Sequence, residues 1–128
     1  MNSKEFKKFT SDSDKNVIAV DFDGVIHKSS KGFHNGTIYD DPVDGVEEAL
    51  KRLSKDYTLI IYTCKANPDR PLINDKTGTE LIWEWLRKYG LDKYIEDITY
   101  TKPNAKYYID DKAVRFTNWN QVIGEINA

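Results

Sequence analysis

Asp21 and Asp23 stand one residue apart and are followed by Gly24, at the end of the apolar run Val17-Ile18-Ala19-Val20. A short apolar run closed by polar residues and glycine reads as a fully buried strand of a parallel sheet. Side chains alternate along a strand, so both carboxylates leave on one side and Phe22 on the other. Gly24 then lets the chain turn sharply away, since it adopts backbone angles that other residues avoid. Open α/β sheets bind their ligands at the carboxyl ends of central strands, which is where this pair of carboxylates falls. Taken alone, two aspartates there fit ordinary turn and capping positions equally well.

The elements that would have to position this pair can be read along the rest of the chain. Residues 1–15 are rich in Lys, Ser and Asp, with only Phe6 and Phe9 as large apolar residues, and are expected to form a mobile tail before a single domain over 16–128. Residues 27–41 are punctuated by Gly32 and by Asn35-Gly36, a strong hairpin-turn signal, with Phe33 and His34 near the tip. His27 and His34 have no third ligand at metal-site spacing and read as exposed or packed loop histidines. Residues 42–53 form a first helix, with Asp44 and Glu47 as a capping box and Val46, Ala49, Leu50 and Leu53 as its apolar stripe. Residues 57–62 are a second buried strand ending at Thr63. Residues 64–75 lack periodicity and carry Lys65, Arg70, Pro68 and Pro71, as a loop beside a reaction centre does.

A second helix spans 77–89, with Thr77 and Glu80 as its capping box, Gly90 as its stop, and Leu81, Ile82, Trp85, Leu86 and Tyr89 inward. Trp83 lies off that stripe and is expected to be partly exposed. Short strands are expected at 95–101 and 105–109, then a last helix with Trp119, Val122, Ile123 and Ile126 on one face. Alternating strands and helices imply parallel crossovers and a Rossmann-like α/β sheet flanked by helices.

Composition bounds the partners. The 128 residues suffice for one domain with a core, and 31% charged against 39% hydrophobic residues is usual for a globular protein. A net charge of −2 gives no duplex-binding patch. The single Cys64 excludes an internal disulfide framework and fits a reducing compartment. No apolar stretch reaches the roughly 18–20 residues of a membrane span, and the start lacks the apolar core of a signal peptide. A cytoplasmic location away from membranes is expected.

Asp21-Phe22-Asp23-Gly24-Val25 resembles the first motif of the haloacid dehalogenase (HAD) superfamily, Asp-x-Asp-x-[Thr/Val], whose members are mostly Mg²⁺-dependent phosphatases. The family's other motifs are a Thr or Ser ending the second strand, a Lys, and an acidic pair ending a later strand. Thr63, Lys102 and Asp110-Asp111 follow in that order. The resemblance implies a flap hairpin after the first strand, formed here by residues 27–41. It also implies that the strand ending at Asp110 lies beside the one ending at Asp21. Neither interval used by the family for a cap domain has room for one, so no cap is expected. An uncapped cleft calls for cover by a large substrate or by a second copy of the chain, a homo-oligomer for which Trp83 suits an interface.

Carboxylates gathered in this way repel one another and ask for a cation, and an oxygen-only set favours a hard ion such as Mg²⁺. By resemblance, Asp21 is the nucleophile that forms an aspartyl-phosphate, and Asp23 is the general acid and base, which requires it to hold a proton. The metal is held by Asp21, the backbone carbonyl of Asp23, and Asp110, with Asp111 outside or bound through water. Thr63 and Lys102 complete the phosphate cradle. Only seven residues separate Lys102 from Asp110, so Lys106 is an alternative for the motif lysine. Gly24, Thr63, Cys64, Lys65, Arg70 and Lys102 form the substrate side, with Cys64 as a small packing residue. The substrate is a phosphorylated small molecule, a nucleotide or a nucleic-acid end.

Two other classes compete. One is a catalytically idle HAD-like binding protein, against which every catalytic position is filled. The other is a receiver-type phosphoacceptor domain, in which the adjacent acidic pair comes first rather than last.

Overall fold

A computed structural model describes residues 16–110 and 118–127; the expected tail and Asp111 lie outside these residues. The element order is β1 (Val17–Val20), α1 (Val46–Leu53), β2 (Thr58–Tyr62), α2 (Gly78–Lys88), β3 (Asp97–Thr99), β4 (Tyr107–Ile109) and α3 (Trp119–Asn127). Short 3-10 turns at Cys64–Ala66 and Asp92–Tyr94 follow β2 and α2.

The strands form one parallel sheet in the order β3-β2-β1-β4. β1 is therefore interior, which is why Ile18, Ala19 and Val20 are all buried rather than alternating. Its register with β4 pairs Val20 with Ile109, so the chains emerging as Asp21 and Asp110 are neighbours, as the resemblance implies. The fold is a small Rossmann-like α/β domain.

The expected stripe of α1 is buried intact at Val46, Ala49, Leu50 and Leu53. On α3, Trp119, Val122 and Ile126 are buried, and Trp119 donates its indole N–H to the Val25 carbonyl at 3.1 Å. That bond ties the last helix to the turn just after Asp23. Helix α2 has the expected Thr77–Glu80 capping box. It ends in a Schellman motif, with Leu91 N–H on the Leu86 carbonyl and Gly90 N–H on that of Arg87. Trp83 is partly buried against the core, and Leu81 is only half-buried.

Three local expectations give way. Helix α1 begins at Val46 with Gly45 as its N-cap and no side-chain cap, so Asp44 does not cap it. The cause lies upstream: Pro42 bridges His27, and Val43 N–H binds the Ile26 carbonyl, which keeps residues 42 and 43 extended. Residues 27–41 do not form the two-stranded flap hairpin. They form a loop of turns closed at its base by the His27–Pro42 bridge and by Lys28 N–H on the Asp41 carbonyl. Asn35-Gly36 does turn the tip, where Gly36 N–H binds the Phe33 carbonyl. The two late strands are three residues each, shorter than expected.

Candidate active site

Asp21 continues β1, and its backbone N–H binds the Ile109 carbonyl at 3.1 Å, directly before Asp110. Both Asp21 and Asp110 are half-buried. One oxygen of Asp21 accepts the N–H of Phe22 at 2.7 Å, which fixes the carboxylate against the strand end. Gly24 follows with φ +83, and its N–H binds the His27 carbonyl at 2.7 Å. The left-handed turn at Gly24 folds the chain back on itself, so Asp23 and His27 face each other without a helix between them.

Both carboxylate oxygens of Asp23 are engaged. Oδ1 meets His27 Nδ1 at 2.9 Å, and Oδ2 meets Lys65 Nζ at 3.0 Å. Burial by itself would raise the Asp23 carboxyl. The hydrogen bonds from His27 and Lys65, with the charge of Lys65, outweigh it and hold the group below its ordinary value. These partners favour the ionised form of the Asp23 carboxyl.

Thr63 ends β2 as expected and is buried. Its N–H binds the Thr99 carbonyl, and its hydroxyl oxygen accepts the N–H of Lys65 at 3.3 Å, starting the Cys64–Ala66 turn. The hydroxyl hydrogen remains to donate. In this turn Cys64 is exposed rather than packed as expected, and Lys65 is 6% exposed. Arg70 returns to the same turn, with Nη1 3.5 Å from the Cys64 carbonyl. The Lys65 ammonium and the Arg70 guanidinium lie 5.1 and 4.9 Å from the centre of the Phe33 ring. Phe33, at the loop tip, is 56% exposed. A small cleft here is lined by Lys65, Arg70, Ile38, Pro71, Ile73 and Leu81.

The candidate motif lysines differ from Lys65. Lys102 is exposed, with its ammonium 4.7 Å from the centre of the Tyr108 ring, and Lys106 is exposed over Tyr107. The fold thus brings Asp21, Asp23, Thr63, Lys65 and Asp110 to the carboxyl edge of the sheet and leaves Lys102 on the surface of the β3–β4 connection.

Among the described residues, no three His, Cys, Asp or Glu side chains form a group able to hold a metal. The expected donor set is of another kind. It has two carboxylates, Asp21 and Asp110, on adjacent strand ends, and the resemblance adds the Asp23 carbonyl. Because His27 and Lys65 occupy the Asp23 side chain, the carbonyl is the donor that this residue has to offer. An all-oxygen set of this type suits a hard divalent ion.

His27 is the site residue that spacing did not single out. The available signal was a polar ring directly after the apolar pair Val25-Ile26, four residues beyond Asp23.

No protein-family model matches this chain, and no curated protein is similar to it. Among solved structures, it is similar to a haloacid dehalogenase-like family hydrolase from Streptococcus pneumoniae. The two are 15% identical, the match covers 89% of this chain and 69% of that one, and the TM-score is 0.48. No helix among the described residues is long and apolar enough to cross a membrane.

Proposed function

We propose that this protein is a Mg²⁺-dependent HAD-type phosphatase that hydrolyses phosphate monoesters through an aspartyl-phosphate on Asp21. The observation that carries this reading is the junction of β1 and β4, where Asp21 N–H binds the Ile109 carbonyl and sets two carboxylates at adjacent strand ends. Asp23 and Thr63 lie at the same edge, and the four motifs occur in the family's order.

A carboxylate of Asp21 attacks phosphorus as the bond from phosphorus to the leaving oxygen breaks. Asp23, protonated in the substrate complex, gives its proton to that oxygen. Water then attacks the phosphorus of the aspartyl-phosphate. Asp23 takes the water's proton, the bond to Asp21 breaks, and inorganic phosphate leaves. Thr63 donates its hydroxyl hydrogen to a phosphoryl oxygen. Lys65, Arg70 and Lys102 are the cations for the phosphate and for the rest of the substrate. Asp21, the Asp23 carbonyl and Asp110 would hold Mg²⁺, with Asp111 as the further acidic residue. When bound, the ion offsets the repulsion between a phosphate dianion and the aspartates. The substrate is a phosphorylated small molecule, a nucleotide or a nucleic-acid end, and the protein acts in the cytoplasm.

Hydrolysis of p-nitrophenyl phosphate with and without Mg²⁺ tests the proposal. Activity is expected to require the ion and to vanish with EDTA. Asp21→Asn is expected to lower kcat by at least ~10³-fold, about 4 kcal/mol of barrier. Turnover that survives EDTA, or an Asp21→Asn protein that retains most of its activity, would overturn it.

A further inference from the structure

We infer that His27 is a positioning residue that holds Asp23 through its Nδ1–H and leaves Oδ2 as the carboxylate oxygen that works. The inference rests on the proposed role of Asp23 as acid and base. The proton on the ring is assigned by the loop that closes over it. The backbone N–H of Asp40 points at His27 Nε2 at 3.1 Å. A backbone N–H can only donate, so Nε2 accepts and carries no hydrogen. The ring proton is then on Nδ1, where it donates to Asp23 Oδ1 at 2.9 Å. The contact is a hydrogen bond from a neutral ring rather than an ion pair.

The ring has little freedom to leave this arrangement. It is fully buried, stacked on Phe22 with centres 5.5 Å apart and an interplanar angle of 19°. Trp85 and Tyr39 meet it edge-on at 5.6 and 5.2 Å. Trp85 also donates its indole N–H to the Asp40 carbonyl at 3.0 Å, so helix α2 secures the same residue whose N–H fixes the tautomer. The other tautomer, with its proton on Nε2, would set two donors against each other at Asp40 and remove the donor from Asp23.

The consequence concerns Asp23. Oδ1 is bound to a donor from the protein interior, whereas Oδ2 meets the lysine that lines the cleft. A carboxylate held by one oxygen presents the other in a fixed direction, and small losses of such alignment are costly in rate. Proton transfer to the leaving oxygen and from water is assigned to Oδ2.

Two substitutions separate the two ends of the ring. His27→Asn keeps an amide donor near the Nδ1 position and loses the contact to Asp40. His27→Gln reaches the Nε2 position, where its oxygen accepts from Asp40, and loses the donor to Asp23. With p-nitrophenyl phosphate and Mg²⁺, His27→Gln is expected to lower kcat by about 10²-fold with KM unchanged, and His27→Asn by only about threefold. Thermal midpoints of both variants are measured alongside. Equal losses in the two variants, tracking their stability, or a larger loss in His27→Asn, would overturn the inference.

A second readout does not depend on turnover. ¹⁵N spectra of the wild-type imidazole are expected to show the proton on Nδ1, and Asp23→Asn is expected to shift that nitrogen. A proton on Nε2 would overturn the assignment. An Nδ1-protonated ring in a chain without phosphatase activity would instead sink the functional proposal while supporting the hold of His27 on Asp23.

Discussion

The β1–β2 side and the β4 side of the sheet, its two rims, each carry an expected cation, and they are built in opposite ways. On the β1–β2 rim, Lys65 is 6% exposed and paired with Asp23, and its turn is closed by Thr63. On the β4 rim, Lys102 is exposed and rests on the Tyr108 ring, whose hydroxyl binds the Pro103 carbonyl. Motif order singles out Lys102, whereas burial singles out Lys65. The lesson concerns what each kind of reading detects. Order along the chain finds residues that a shared chemistry needs. Burial of a charge shows where the fold itself has committed to a partner, because a desolvated lysine without one is costly.

Substituting the two lysines in parallel is the strongest way to break this contrast. Lys65→Met removes one of two partners from a carboxylate that is one-third exposed. A stability loss of about 1–2 kcal/mol is expected, below that of a fully buried pair because water reaches Asp23. Activity should fall by about 10²-fold in kcat/KM, or about 2.7 kcal/mol. Lys102→Met should lower kcat/KM by about tenfold while stability stays within about 0.5 kcal/mol of wild type. Urea unfolding and p-nitrophenyl phosphate kinetics on both variants decide it. If Lys102→Met were the destabilised protein, or Lys65→Met behaved as wild type, the contrast between the rims would be lost.

A smaller effect on activity tests how the Lys65 rim is supported. Gly78 opens helix α2, and a Cβ built there would sit 1.8 Å from the Lys65 carbonyl oxygen. That neighbour is backbone, so it cannot swing aside as a side chain can. Gly78→Ala must therefore push the 3-10 turn and the first turn of α2 apart, at an expected cost of about 2 kcal/mol. Lys65 would move with its carbonyl, so KM should rise in the same variant. An alanine variant as stable as wild type would mean that the turn is not held against the helix.

The sequence made the frame of this site legible and left its wiring unread. The apolar run before Asp21, the stripe of α1 and the Thr77–Glu80 box are local signals, and each appears in the structure. The adjacency of β1 and β4 also follows the expected order. Asp44 fails as a cap because a long-range bridge from His27 to Pro42 takes the preceding residues. Cys64 is exposed rather than packed because the 3-10 turn immediately after Thr63 turns Lys65 inward in its place. His27 was indistinguishable from a loop histidine because its partners come from Asp23, Asp40 and the three aromatic rings of Phe22, Tyr39 and Trp85. What defeats local reading at Asp44 and His27 is a contact supplied from elsewhere in the chain.

The smallest expected effect lies at the far end of the β1–β2 rim, at Asp40. Its carboxylate accepts hydrogen bonds from the hydroxyl and the backbone N–H of Ser30, and Asp41 N–H adds a third. Together these lower its pKa from 3.8 to about 2. A carboxyl lowered on folding contributes its stability in full above its unfolded value, and that contribution disappears as pH falls through the folded value. The window for Asp40 therefore runs from about 3.8 down to about 2. The group is at the surface, so salt and water screen much of the effect, and global unfolding is a poor probe of it. The ¹³C shift of the Asp40 carboxyl is the better one, with an expected midpoint near 2 in wild type. Ser30→Ala removes the largest single contribution, the hydroxyl bond, and should move that midpoint upward. The backbone of Asp40 should keep its bonds to His27 and Trp85, because neither uses the carboxylate. A midpoint that stays put in Ser30→Ala would show that the loop over His27 is held by its backbone alone.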